Sequence, residues 1–187
     1  MQLILTLITA LTQENNEDTG PDFSDLFQTH YPRVYNYLRY RMNSPEDVED
    51  LISLVFEKAF THRAQFDPAK GAFSTWLFRI AHNELSNFYR SRERRAKWVA
   101  DAELPGDIVL EPSPETQVIE QETINQLLQG LGQLSERDQE VISLKFGSRL
   151  SNREIGQIMD LKEKTVSVVL LRAMRRLQKQ FDNEVAQ

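Results

Sequence analysis

The stretch "SNREIGQIMDLKEKTVSVVLLRAMRRL", Ser151 to Leu177, decides how the chain is read. Its middle, Thr165 to Leu170, is β-branched and apolar like a buried strand, yet Arg172, Arg175 and Arg176 follow at once. Phased at 100° per residue, Val166, Val169, Leu170, Ala173 and Leu177 fall on one face of a helix, where they can pack against Ile155, Ile158 and Leu161. Lys164, Ser167, Val168, Leu171, Arg172 and Arg175 fall on the other. Ser151 with Glu154 forms a capping-box pair at the start of a shorter helix, and "DLKE" makes the tight turn before the longer one. Two helices joined in this way, the second basic towards its end, describe a helix-turn-helix. Val168 and Leu171 are left over, apolar and facing outward.

Upstream, Ser135 with Asp138 predicts a further capping box and a helix. Before it the charge changes abruptly. Residues 1–98 hold 12 Lys+Arg against 13 Asp+Glu, residues 99–130 hold none against 7, and residues 131–187 hold 10 against 8, so the net −6 belongs to the middle segment. That segment opens with prolines and a glycine and no apolar period, as a linker does. From Thr116 it becomes helical, with Val118, Ile119, Ile124, Leu127 and Leu128 able to share a face.

The first half of the chain also reads as helices. "FSDLFQTHYPRVYNYLRYRM" carries apolar residues at three- and four-residue steps, with Pro32 as a kink or restart. In "NSPEDVEDLISLVFEKAF", Ser44 caps, Pro45 takes the first helical position, and Glu46 and Asp47 suit the positive end of the helix dipole. Val48, Leu51, Ile52, Val55 and Phe56 form its stripe, which leaves Asp47, Glu49, Asp50 and Glu57 outside. After the loop "QFDPAKGAFS" comes a long helix in which Leu77, Ile80, Ala81, Leu85 and Phe88 face the core. A second stripe runs beside them: Trp76, Arg79, Asn83, Asn87, Arg90 and Arg94, with no acid. Guanidinium groups pair with phosphate, amides match base edges and an aromatic ring stacks on an unpaired base, so the stripe points to nucleic acid.

Other chemistry finds little support. No cysteine is present, which excludes disulfides, thiolate catalysis and cysteine zinc sites and fits a reducing, cytoplasmic compartment. His30, His62 and His82 lack metal-ligand spacing and read as structural or solvent-facing. No nucleophile–base set, phosphate-cradling glycine loop or paired carboxylates appear, so no catalytic residue, metal, cofactor or small-molecule substrate is expected and the chain does not read as an enzyme. "MQLILTLITALT" is apolar for about ten residues, short of the roughly 20 a membrane span needs, and is expected to form an arm on its own domain.

With "DVEDLISLVFEKAF", "GAFSTWLFRIAHNELSNFYRSRERR" and "LSERDQEVISLKF…LSNREIGQIMDL" in this order, the chain resembles the extracytoplasmic-function (ECF) sigma factors, specificity subunits of bacterial RNA polymerase. The resemblance covers about residues 22–97 and 117–180. It implies an all-α fold of two small helical domains joined by an acidic flexible linker, the second a helix-turn-helix domain. The expected division is an apolar arm over 1–21, a domain over 22–98 that docks on core polymerase and recognises the minus-10 element, a linker over 99–116, and a minus-35-reading domain over 117–187.

By resemblance, Asp47, Glu49, Asp50, Leu51, Phe56 and Glu57 dock on the largest polymerase subunit. Phe66, Lys70, Phe73, Ser74, Trp76, Asn83 and Asn87 hold a flipped base and the melted minus-10 strand, with Arg79, Arg90, Arg92 and Arg94 on phosphates. Arg153, Lys162, Lys164, Thr165, Ser167, Val168, Leu171, Arg172 and Arg175 meet the minus-35 duplex. The second domain also grips the flap of the second-largest subunit, and the acidic linker threads the RNA channel. An anti-sigma factor is a further implied partner, and would hold the factor at the membrane when its own anchor lies there. Departures from the family pattern are Ser53 and Leu54 in the docking helix, Ser167 and Val169 where basic residues are common, and Asp160 where the turn often carries Gly. Two alternatives fit parts of the chain: a free-standing helix-turn-helix regulator, which leaves Trp76, Asn83 and Asn87 without a use, and a sigma-like adaptor or decoy gripping a protein through Val168 and Leu171.

Overall fold

The computed structural model describes residues 23–99 and 126–185, with side chains to residues 95 and 182. The apolar arm and the linker, with Val118, Ile119 and Ile124, lie outside the described residues. Everything described is helix, turn or loop, without a strand. The helices are α1 (Phe23–Arg39), α2 (Pro45–Thr61), α3 (Phe73–Val99), α4 (Glu136–Ile142), α5 (Asn152–Met159) and α6 (Glu163–Val185), with a 3-10 turn at Arg63–Gln65 and a π-helical continuation of α4 over Ser143–Gly147. Residues 126–132 are helical as well.

Local chemistry sets the boundaries. Ser44 Oγ accepts the Asp47 amide at 3.2 Å and Pro45 opens α2. At α5 both halves of the capping box form: Ser151 Oγ accepts the Glu154 amide at 3.3 Å, and Glu154 Oε2 takes the Ser151 amide at 2.8 Å. At α4 only half forms. Ser135 accepts from the Asp138 amide at 3.3 Å, but the Asp138 carboxylate turns away to Arg176 on α6. Pro32 does not restart α1, which runs as one helix through it. Pro32 and Gln28, one turn before it, are both exposed, so the carbonyl left without a donor faces water. Asp160 closes α5 in the left-handed region at φ 53°, which accounts physically for the glycine common there in the family. Gly156 is packed so that an added Cβ would stand 2.5 Å from the Leu161 carbonyl oxygen, which keeps the turn tight.

The two halves share a core instead of merely being tethered. Phe27, Val34, Tyr37, Leu38, Val48, Ile52, Val55, Phe56, Leu77, Phe78 and Ala81 from α1–α3 belong to one buried cluster with Val141, Leu144, Leu150, Ile155, Ile158 and Val166 from α4–α6. A smaller cluster of Leu131, Leu134, Ile142, Ala173 and Leu177, with Leu127 and Leu128 against it, ties α6 to the start of the second half. Backbone approaches backbone where Gly147 meets α1: a Cβ there would lie 3.0 Å from Tyr37 Cα and N.

Candidate nucleic-acid interface

Three rings define the entrance to α3. Phe66, from the loop, stands perpendicular to Phe73 at 5.4 Å between centroids, and Trp76 lies 5.7 Å from Phe66 and 5.4 Å from Phe73. All three are half-buried. Trp76 is therefore one wall of an aromatic box, not a lone ring at a loop mouth, and its orientation is fixed by tilted contacts of the kind aromatic pairs favour. Beside the box, Lys70 is exposed and pairs with Asp67 at 3.2 Å. Along α3, Asn83, Asn87, Arg90, Arg92 and Arg94 are exposed. Among the described residues, the guanidinium of Arg90 reaches its own helix, at Ser86 O, and that of Arg94 reaches Arg90 O.

The rest of the expected stripe is occupied. Arg79 does not stand free for phosphate: its Nη2 donates to Gln157 O of α5 at 2.7 Å. Ser74 Oγ and Thr75 Oγ1 each donate to Glu154 Oε1 at 3.3 Å. Burial pushes the Glu154 carboxyl up, but the bonds from Ser151, Ser74 and Thr75 together outweigh it and hold the group below its usual range. Glu154 thus serves at once as helix cap and as clamp on the start of α3. The second role has no sequence signature, because the partners lie about 80 positions away.

The same seam holds a second carboxylate that the sequence left unmarked. Glu140, 5% exposed, accepts from Tyr37 Oη at 2.6 Å and His82 Nδ1 at 2.7 Å on Oε1, and pairs with Arg41 Nε at 3.3 Å through Oε2. Burial, then the charge of Glu140, pushes the Tyr37 hydroxyl well above its ordinary range. Arg33 donates twice to Ser148 O, at 2.8 and 2.6 Å, and Arg41 reaches Glu136 O and Gln139 Oε1.

On α2, Asp47 is half-buried and Glu49, Asp50 and Glu57 are exposed, as a docking face requires. Leu51 and Phe56 are not: at 4% and 2% exposure they are core, Phe56 lying 4.6 Å from the Phe27 ring, so they support that face without presenting themselves. On the second half, Arg153, Lys162, Lys164, Ser167, Val168, Leu171, Arg172 and Arg175 are exposed and Thr165 is half-buried. Val168, Leu171 and Met174 are 48%, 53% and 40% exposed, so the apolar ridge extends one turn further than the sequence reading placed it. Arg176 pairs with Asp138 while its side chain stays exposed, so one edge of its guanidinium is already engaged. Asn152, also unmarked, donates from Nδ2 to Ser167 Oγ at 2.9 Å. His62 Nδ1 bonds to Lys58 O at 2.8 Å, and among the described residues no group of three or more His, Asp or Glu is placed to hold a metal.

Sigma-70 region 2 matches residues 26–95, and sigma-70 region 4 matches residues 130–179. The RNA polymerase sigma factor CnrH of Cupriavidus metallidurans is 32% identical over 142 residues, covering 73% of this chain and 74% of its own length. The chain belongs to the ECF sigma factors. It is thus an alternative sigma factor directing transcription initiation, and sigma factors are DNA-binding initiation factors, not classical enzymes. The ECF RNA polymerase sigma factor BldN of Streptomyces coelicolor is 30% identical across 83% of this chain, which spans 58% of the length of BldN. The fold matches that of the sigma factor RpoE of Bartonella quintana, solved with the anti-sigma factor NepR, at a TM-score of 0.67 and 22% identity, over 86% of this chain and 97% of that one. No described helix is long and apolar enough to cross a membrane.

Proposed function

We propose that this sigma factor contacts melted minus-10 DNA with the Phe66–Phe73–Trp76 box and the exposed Asn83, Asn87, Arg90, Arg92 and Arg94 of α3, and duplex minus-35 DNA with the outer face of α6. The observation that carries this reading is the exposed stripe of amides and guanidinium groups, Asn83, Asn87, Arg90 and Arg94, which leads from a half-buried aromatic box and carries no acid, Glu93 lying off to its side. Aromatic faces take unstacked bases, and arginines beside them take the strand's phosphates. The box gives an extruded base three ring surfaces, which offset the few kcal/mol of unstacking. On α6, Lys164, Arg172 and Arg175 supply phosphate contacts around Ser167, Val168 and Leu171, the residues nearest base edges when a recognition helix enters the major groove.

The closed arrangement of the described residues is not the promoter-bound one. Two elements named for positions 25 base pairs apart lie about 85 Å apart along B-DNA at roughly 3.4 Å per pair. α5 and α3 are in hydrogen-bond contact. Binding both elements therefore requires the domains to part, releasing Arg79 and Ser74 as they do. Glu49, Asp50 and Glu57 form the face for a basic surface of the largest polymerase subunit, and the acidic segment 99–116 is assigned to the enzyme's RNA channel. The basic and apolar face of α6 also suits an anti-sigma factor, a partner of the kind NepR is to its Bartonella relative.

Purified core polymerase mixed with this protein, on a library of random promoter fragments, tests the whole. The expected result is initiation from fragments sharing two motifs; failure to bind core in a pull-down would overturn it.

A further inference from the structure

Ser167 is exposed in the first turns of α6, on the face that carries Lys164, Val168 and Leu171, and its hydroxyl is already committed on two sides. Its proton goes to the Glu163 carbonyl at 3.1 Å, and one lone pair receives the Asn152 amide at 2.9 Å. A serine hydroxyl has one proton and two lone pairs, so a single lone pair remains. The orientation of Asn152 follows from its surroundings. Its Oδ1 is buried without a donor, and turning the amide over would bury an NH2 group with two unpaired donors in that place.

A hydroxyl on a recognition helix ordinarily serves as donor or acceptor to any base, because it rotates. Here turning the proton to the groove would sacrifice the Glu163 bond and set a lone pair against that carbonyl, while the Asn152 amide bars the proton from its own side. We propose that Ser167 acts as an acceptor-only reader, selecting the exocyclic amine of adenine or cytosine in the minus-35 duplex against the carbonyl of guanine or thymine, with Asn152 as its positioning residue. In the major groove, adenine N6 and cytosine N4 are donors, whereas guanine O6 and N7 and thymine O4 are acceptors. Adenine is preferred of the two, since its partner thymine brings a methyl group to the neighbouring Val168 and Leu171, both about half exposed. This inference rests on the assignment of α6 to the minus-35 element.

The test uses the full chain with core polymerase, on promoters randomised upstream of a fixed minus-10 element, sequencing the bound fraction. Wild type should show one position where adenine and cytosine exceed guanine and thymine about fivefold, the worth of a single hydrogen bond, and Ser167→Ala should flatten that position. Asn152→Ala should weaken the preference at the same position and no other, because the Ser167 side chain, no longer held from that side, can leave the rotamer that donates to Glu163 and present its proton. Asn152→Asp should keep the preference, since its carboxylate takes the hydroxyl proton and leaves lone pairs towards the groove. A preference for guanine or thymine there, or one that Asn152→Ala leaves intact, would overturn the proposal. Enrichment nowhere upstream, with Arg172→Ala also without effect, would instead remove the minus-35 assignment itself. Enrichment at other positions with none sensitive to Ser167 would remove only the role of Ser167.

Discussion

Tyr37 Oη donates to Glu140 Oε1 at 2.6 Å across the seam between the two halves of the chain, 103 positions apart in sequence. Both groups are buried, Tyr37 completely. Arg41 and His82 complete the carboxylate's surroundings, so three side chains of the first domain close on one acid of the second. Removing one member of a buried ion pair costs roughly 3–5 kcal/mol, because its partner is left charged and unsatisfied. This chain has an alternative to bearing that cost, which is to let the domains part. Glu140→Ala is therefore expected to open the molecule, and Tyr37→Phe to do so less, the bond to a charged acceptor being worth about 1.5–3 kcal/mol. Because the chain has no cysteine, fluorophores attached through E57C and Q178C report the separation directly. Unchanged energy transfer in Glu140→Ala would mean that the apolar core, not this carboxylate, holds the domains together.

The same tyrosine predicts an alkaline limit. Burial raises the Tyr37, Tyr89 and Tyr31 hydroxyls above their ordinary range. A raised folded-state pKa means that above about pH 10 the unfolded chain loses protons the folded one retains, so stability is full below that pH and falls as pH rises through the folded values. On the acid side, burial and Arg33 lower His30, and Glu154 is also held low. Their contributions are present above about pH 6.5 and about pH 4.5 respectively, and fade as pH falls below each. Chemical denaturation across pH should show a plateau between these limits. Tyr37→Phe should flatten part of the alkaline loss while lowering the plateau.

Gly147 offers a way to disturb the seam without touching a charge. A methyl group there meets Tyr37 backbone atoms at 3.0 Å and Asn36 C at 3.1 Å, none of which is the end of a flexible side chain. Gly147→Ala should force the domains apart or cost about 1–3 kcal/mol, as overpacking does. Gly132→Ala, with nothing within 4 Å of its Cβ, is the control and should leave the thermal midpoint within a few degrees.

The helices and the outward faces of α3 and α6 were legible because they are written in local periodicity: Val166, Ala173 and Leu177 are buried and Lys164, Val168, Leu171 and Arg172 exposed, as a 100° step dictates. What the sequence hid was everything needing two distant segments. Glu140 looks like one more acid on a short helix, and Phe78, between the core positions Leu77 and Ala81, is buried where Tyr37 of α1 packs edge-on against it at 5.8 Å and the Arg33 guanidinium lies over its ring. Arg79 has the right residue type on the right stripe, yet the closed seam occupies it. The Asp138 capping box failed for the same reason: Arg176, a full helix away, competes for the carboxylate.

Trp76 separates the reading of melted DNA from attachment to polymerase. Its ring is wedged against Phe66 and Phe73, while the acidic face of α2 lies on another helix. Stacking is worth about 1–3 kcal/mol per base, so Trp76→Ala should slow promoter opening roughly 5- to 150-fold with core affinity nearly unchanged. Truncating a half-buried ring also loosens the box, and the melting temperature of each variant distinguishes that effect. Trp76→Tyr, which keeps an aromatic face, should recover most of the opening rate at comparable stability. Permanganate reactivity of thymines at the minus-10 element, measured beside core pull-down, checks both parts. Equal losses in the two assays would place Trp76 in the scaffold and not against the base.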